Sequence, residues 1–551
     1  MQDFNLKKID KMKRLNKFKL VFLSVLTVTA FTACTDLEIE ETDSILTDGF
    51  TGIPTAEEAA STVSGMYNNI RGYVGDQANL YALSEVTTDA QLVPTRGSDW
   101  GDNGIWRQLH QHTWTADHQY IRTVFDQWNE LQLTASTVLD ERSASSAESR
   151  AQASFLRALG MFVILDNFGQ VPFRDTTADP RENPEVLTGA DAVAFIASDL
   201  QDAISGLPSS SAGDDNPRAT KAAARYLLAK LHLNRHIYEG TGSPAASDMN
   251  EVISLVEGIE DDGYALQDGY FEMFEPTPDS ETIWYINTST GNRIWNTLHY
   301  NFTHPDNTGG GWNGFATLAE YYDLFEGPSD SNNPGEGQEE RRGYVAQSGI
   351  AFTGQDFMSD IDNDGFADAS NVGYGFLIGQ QYALNGDELT DRGNVPLQFK
   401  RDFVDAGTGQ PSLVENGEQT GIRVIKYNPI NGAFREHEIF FRYSDAYLMK
   451  VEAIHNGGTS SENALTLMND LRTLRDATPL TSLTDQDIID ERGRELYIEF
   501  WRRNDLIRFG QYTKDWAFKD PSAVGNDEKN LFPIPNTQII LNPNLTQNPG
   551  Y

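Results

Sequence analysis

From Pro54 onward, apolar residues recur at helical spacing. In AEEAASTVSGMYNNIRGYV, Ala60, Val63, Met66, Tyr67, Ile70 and Val74 fall on one face, and a second strong pattern covers residues 121–139. Further helical stretches are ESRAQASFLRALGMFVILDNFG, GADAVAFIASDLQDAISGLP and RATKAAARYLLAKLHLNRHIY, with Gly169, Pro208 and Gly240 near their ends as breakers. They come as consecutive pairs rich in Ala, the pattern of degenerate tetratricopeptide-like stacking, although no 34-residue repeat is exact. Between residues 265 and 435 Gly, Asn, Asp and Pro dominate, and only ETIWYINTS and GIRVIKYNP alternate as strands do. Helical spacing returns in EIFFRYSDAYLMKVEAIHNGG, ENALTLMNDLRTLRDA and DQDIIDERGRELYIEFWRRNDLIRFG, and a Pro-rich tail follows. The pattern predicts a mostly α protein. One domain, residues 54–551, has helices at about 54–260 and 436–515 bracketing a loop-rich insert at about 265–435.

The amino terminus reads differently. Lys13, Arg14, Lys17 and Lys19 precede an apolar run at residues 20–31, then Thr32, Ala33 and Cys34. The run is shorter than the roughly 20 apolar residues a spanning helix needs, so residues 1–33 read as an export signal. Cys34 is the sole cysteine, which excludes an internal disulfide, and its setting resembles a bacterial lipobox. A diacylated thiol there would anchor the chain through the polar tether 34–53, since each buried methylene contributes about 0.8 kcal/mol. Asp36, Glu38, Glu40 and Glu41 resemble the acidic tag that directs lipoproteins of Bacteroidetes to the cell surface.

With 81 acidic and 42 basic residues the net charge is -39, which opposes nucleic acid and anionic lipid. It also weighs against strongly anionic polysaccharides, although at sea-like salt the Debye length falls to about 4 Å and distant charges are screened.

Five segments, SFLRALGMFVILDNFGQVPF, RATKAAARYLLAKLHL, FFRYSDAYLMKVEAIHNGG, ERGRELYIEFWRRNDLIRFG and the terminal LFPIPNTQIILNPNLTQNPGY, resemble the SusD/RagB family in the family's own order. Phe500 and Trp501 depart from it, standing where the family often has Gly. The resemblance implies four tetratricopeptide-like units carrying a variable loop face, a surface-exposed outer-membrane lipoprotein, and a lid on a SusC-like TonB-dependent transporter. It also implies capture of oligosaccharide or polysaccharide without catalysis.

A sugar presents apolar C–H faces and a rim of hydroxyls, so its receptor needs flat aromatic rings with short polar side chains beside them. In PTRGSDWGDNGIW, Trp100 lies among Arg96, Asp99, Asp102 and Asn103. The resemblance also places a glycan-contacting aromatic near Trp100, by approximate position only. In TGNRIWNTLHYNFTHPDNTGGGWNGF, three aromatics, Trp295, Tyr300 and Trp312, fall within 18 residues of Gly- and Asn-rich chain. The family also draws sugar-binding aromatics from this part of the chain. The expected glycan contacts are therefore Trp100, Trp295, Trp312, Tyr300, Arg96, Asp99 and Asn103. Trp106, Trp114, Trp128 and Trp284 are expected in packing.

Rival chemistries are weaker. Asp360, Asp362, Asp364 and Asp368 with Gly365 resemble a calcium loop, although Asn371 stands where a bidentate Glu would complete it. His110, His112 and His118 lack the spacing of a zinc set. No nucleophile elbow, phosphate loop or zinc helix is present, and carboxylate pairs are too common here to signify a hydrolase. No cofactor is expected beyond a structural Ca2+. The aromatics and the charge lean toward a neutral β-glucan such as laminarin. A uronate polymer such as alginate is the alternative, and a surface hydrolase or a protein-binding adhesin are remote ones.

Overall fold

The computed structural model describes residues 49–275, 277–302, 310–345, 372–383, 386–428 and 437–551. Cys34, the export signal, most of the tether and the Asp360–Asp368 loop lie outside these residues. The main helices, in chain order, are α1 (Ala56–Gly75), α2 (Ile105–Gln111), α3 (Gln119–Leu139), α4 (Ala147–Phe168), α5 (Gly189–Gly206), α6 (Lys221–Tyr238), α7 (Ala246–Glu260) and α8 (Gly291–Thr297). They continue as α9 (Tyr443–His455), α10 (Ala464–Leu474), α11 (Asp485–Glu495), α12 (Arg502–Arg508) and α13 (Asn536–Leu541).

Local chemistry sets the helix ends. Thr55 opens α1 by accepting the Glu58 amide at 3.2 Å, and Ser146 opens α4 by accepting that of Ser149 at 3.0 Å. Gly169, at φ 70°, closes α4 in the left-handed conformation glycine adopts without strain. Each helix then packs on the next: α3 on α4, α4 on α5, α5 on α6, and α6 on α7. This serial stacking lets a helical array grow without enlarging a single core. At the α3–α4 crossing, a Cβ on Gly160 would come within 2.9 Å of the Trp128 carbonyl oxygen, so close approach requires glycine there. Helix α9 packs on α7 and carries α10 and α11, so the second helical block continues the stack that the first began.

The strands are short. β1 (Gln170–Phe173) pairs with β2 (Glu185–Thr188), and β3 (Thr282–Ile286) pairs with β9 (Glu438–Arg442), both antiparallel. β4 (Gly343–Tyr344), β5 (Tyr374–Leu377) and β8 (Arg423–Ile425) form a sheet in the order β4-β5-β8. β6 (Gly379–Gln380) pairs with β7 (Gln398–Phe399).

Two stretches that read as continuous helix are broken. EIFFR is the strand β9, buried at every position. A run buried on all sides carries no period to distinguish strand from helix. The stretch after Asp485 is helical to Glu495 and again from Arg502. Between them Ile498 (φ 54°) and Phe500 (φ 74°) are left-handed, a conformation costly for bulky side chains. Tertiary bonds hold the break: Arg442 and Lys426 grip the Glu499 carboxylate, and the Phe500 amide donates to Glu85 Oε1 at 2.7 Å.

Those bonds belong to an interior ion network. Arg442 pairs with Glu281 (3.1 Å), Glu495 (2.8 Å) and Glu499 (2.7 Å), and Arg475 with Glu281 (3.0 Å) and Glu495 (3.2 Å). Arg341 joins Glu339, Glu491 and Glu495. Burial alone would raise the Glu491 carboxyl, but Arg341, Arg494 and Arg472 hold it down at about 2. Glu281, Glu339, Arg341 and Lys426 come from the insert and the other partners from β9 and the second helical block or its flanks, so the network fixes the loop-bearing region to the scaffold. Its value lies in positioning, because the cost of desolvating buried charges offsets much of their attraction.

Candidate functional site

The first loop predicted from sequence is a tight turn. Arg96 and Asp99 exchange two backbone hydrogen bonds of 3.0 Å across Gly97 and Ser98. Trp100 (φ 59°), Asp102 (φ 34°), Asn103 (φ 53°) and Gly104 (φ 81°) then follow with left-handed backbone. Non-glycine residues in this region cost of order 1–3 kcal/mol each, and such strain gathers at ligand-contacting loops. The ring of Trp100 lies edge-on to Trp106 (5.8 Å) and Phe315 (5.7 Å), and its indole N–H donates to the Trp312 carbonyl at 2.8 Å. It also lies against Gly314, where a Cβ would meet Trp100 Cε2 at 2.3 Å, so this contact needs glycine.

The second loop brings Trp312 beside it. Trp312 is 60% exposed, the only exposed tryptophan among the described residues. Its own amide donates to the Trp295 carbonyl at 2.6 Å. The next residue is the anchor: Asn313 is buried, its side-chain amide donating to the Glu418 carbonyl (3.0 Å) and its Oδ1 accepting from Arg423 (2.6 Å). Thus an exposed ring rides on a fixed backbone. Tyr300, half-buried, donates its hydroxyl to Asp99 Oδ2 at 2.6 Å and so ties the second loop to the first.

Two predicted contacts are placed inside instead. Arg96 is 2% exposed and donates to the Asn313 carbonyl (2.6 Å), Thr420 Oγ1 (2.6 Å) and the Thr420 carbonyl (2.8 Å). It holds the two loops together from beneath and offers nothing to solvent. Trp295 is 8% exposed, because GNRIWNT forms the short helix α8 and turns this ring inward. Asp99 and Trp100 are half-buried, while Asn103 is exposed. Trp106, Trp114, Trp128 and Trp284 are all buried, as their spacing predicts. His110, His112 and His118 each bond a different backbone carbonyl, those of Ala517, Thr87 and Ile105.

The structure adds groups that sequence reasoning missed. The Arg392 guanidinium stacks 3.9 Å above the Tyr300 ring, so that face of Tyr300 is occupied. Arg392 Nε donates to Glu418 Oε1 at 2.5 Å, and its Nη2 lies 3.8 Å from Asp99 Oδ2. Glu418 Oε2 accepts from His299 Nε2 at 2.8 Å, while His299 Nδ1 accepts the Asn301 amide at 3.1 Å. That pair of bonds defines a neutral imidazole, consistent with burial lowering its pKa to about 4. The Glu418 carboxyl is lowered despite burial, through bonds from Arg392 and His299. Arg392 therefore stands between two carboxylates, with the cations Arg96 and Arg423 buried beneath the same loops. The turn bearing Arg392 lies eighty residues from Trp312 in the chain, and no local pattern marks it.

The fold and this surface define a class: a tetratricopeptide-like helical scaffold presenting an aromatic, hydroxyl- and carboxylate-rimmed loop platform. Residues 280–551 match the SusD family model, and residues 47–233 match one described as "Starch-binding associating with outer membrane". The chain belongs to the SusD family. It is 26% identical over 519 residues to the starch-binding protein SusD of Bacteroides thetaiotaomicron, covering 87% of this chain and 86% of that protein. It is 25% identical over 501 residues to SusD-like protein P25 of Formosa agariphila, covering 86% and 83%. Among solved structures, a SusD-like protein of Bacteroides fragilis superposes with a TM-score of 0.63 at 20% identity, covering 92% of this chain and 98% of that one. A laminarin-binding SusD-like protein superposes with a TM-score of 0.58 at 21% identity, covering 90% and 100%. Both show the same fold.

Proposed function

We propose that this protein captures a neutral oligosaccharide or polysaccharide at the cell surface and passes it to a SusC-like TonB-dependent transporter, without cleaving it. The observation that carries the reading is Trp312: an indole exposed on a backbone immobilised by Asn313, Arg96 and Arg423, its carbonyl held by the Trp100 indole N–H, with Asp99 and Arg392 joined to the same pair of loops through Tyr300. A rigid flat ring next to short hydrogen-bonding groups suits the C–H face and hydroxyl rim of a pyranose. In this reading, lipid on Cys34 holds the protein on the outer membrane. Among the described residues no helix is long and apolar enough to cross a membrane.

A neutral β-glucan of the laminarin type fits better than alginate. Arg392 is already engaged by Glu418 and Asp99, Arg96 is spent on backbone carbonyls and Thr420, and the net charge of -39 opposes the approach of a polyanion. The relatives named for starch and laminarin support a neutral sugar of this kind. The experiment is affinity electrophoresis through gels containing laminarin, starch or alginate, with reducing ends assayed in parallel. Retardation by a neutral glucan with no new reducing ends is expected. New reducing ends would make the protein a hydrolase, and free migration through every gel would favour an adhesin.

A further inference from the structure

A second cleft, of about 640 Å³, shares no lining residue with the Trp312 platform. Its size is that of small-molecule sites, about 300–1,000 Å³. One wall is aromatic. Tyr344 on β4 and Tyr374 on β5 are directly opposed across the antiparallel pair, with ring centroids 6.0 Å apart, and Phe271 lies 5.2 Å from Tyr374. The pairing that sets these rings side by side depends on two glycines. A Cβ on Gly343 would meet the Tyr374 carbonyl oxygen at 2.2 Å, and one on Gly375 would meet that of Arg342 at 2.4 Å.

The remaining wall is acidic, with Glu272, Glu275 and Glu340, and among the described residues no Lys, Arg or His lines the cleft. Arg475 lies behind it, 3.8 Å from Glu340, but is fully buried and committed to Glu281 and Glu495. Arg475 thus partly offsets Glu340, and Arg341 offsets Glu339, while Glu272 and Glu275 form no ion pair among the described residues. Burial raises Glu275 above the usual carboxylate range and Glu272 adds to the effect. Burial likewise raises Tyr374, with Glu275, Tyr344 and Glu272 adding to it.

We propose that this cleft binds an organic ammonium group carried on a small carbon skeleton. Ring faces attract a cation through their quadrupole, and carboxylates bond it with charge-assisted hydrogen bonds. A neutral sugar would use the rings but gain little from carboxylates whose crowding burial already penalises. Two sources share this chemistry, a protonated amino sugar and a free diamine.

Calorimetry at fixed ionic strength, on the acylation-free soluble chain, separates them. The probes are putrescine, the glucosamine disaccharide and its N,N′-diacetyl form, which keeps the rings and loses the charge. Both amines, or one of them, should bind and the diacetyl sugar should not; the tighter amine identifies the source. Glu275→Gln and Tyr374→Leu should each weaken binding about tenfold or more. Glu57→Gln, on the exposed first turn of α1, and Trp312→Ala should leave it unchanged. Glu275→Gln is nearly isosteric, so its result stands even if Tyr374→Leu fails to fold. The proposal is overturned by absence of amine binding, by equal binding of the diacetyl sugar, or by equal weakening in Glu57→Gln, which would signify diffuse attraction to an acidic protein.

Discussion

Single residues carry much of what is unusual here, and Glu85 is the most testable. Its carboxyl is fully buried in the wide helical turn Ala82–Val86. Oε1 accepts the Phe500 amide, and Oε2 has no hydrogen-bond partner among the described residues. Burial pushes its pKa up to about 8. The folded state thus holds a proton that the unfolded chain releases above about pH 4.5. The stability contributed by the protonated carboxyl is full below that value and declines as pH rises toward 8. Glu85→Gln keeps an acceptor for Phe500 and cannot ionise. Urea unfolding at pH 5 and pH 8.5 should show the variant gaining on the wild type by about 2–4 kcal/mol across the interval. A difference independent of pH would mean that Glu85 ionises freely in the folded protein.

At the same scale, the sequence revealed which aromatics matter more readily than how they are held. Trp312 follows three glycines and is exposed. Gly310 and Gly311 reflect backbone contact, since a Cβ on Gly311 would meet the Leu298 carbonyl oxygen at 2.0 Å. Trp295 stood in equally polar sequence and is buried, because a seven-residue helix gives too short a period to show its inward face. Arg96 looked like a rim residue and is a clamp. Its hydrogen bonds to Asn313 and Thr420 span more than two hundred and three hundred positions, and nothing local announces such partners.

At the level of elements, the stacked helices α1 and α3–α6 were legible because an amphipathic period runs through them, Gly or Pro follows α4, α5 and α6, and side chains cap α1 and α4. Strand β9 and the break before α12 were not, since tertiary bonds decide them. Arg442 is the hub of that decision, joining β9 to Glu281, Glu495 and Glu499. Arg442→Met should cost about 3–5 kcal/mol in urea unfolding, because it strands buried carboxylates. It should also loosen the segment 496–501, seen as faster amide exchange there than in α4. A cost below about 1 kcal/mol, the range of exposed pairs, would show the network to be solvated.

For the whole molecule, the charge of -39 bears on which glycan is held. Binding of a neutral glucan through rings and hydroxyls should change little between low salt and sea-like salt. Binding of a uronate polymer to this surface would strengthen as salt screens repulsion. Titrations at two salt concentrations therefore distinguish the two ligand classes whatever the glycosidic linkage.

The most direct measurement is calorimetric titration of laminari-oligosaccharides into the wild type, Trp312→Ala and Trp295→Phe. The wild type should bind, Trp312→Ala should bind about tenfold more weakly, about 1.4 kcal/mol, and Trp295→Phe should match the wild type. Undiminished binding by folded Trp312→Ala would contradict the placement of the site on this exposed ring.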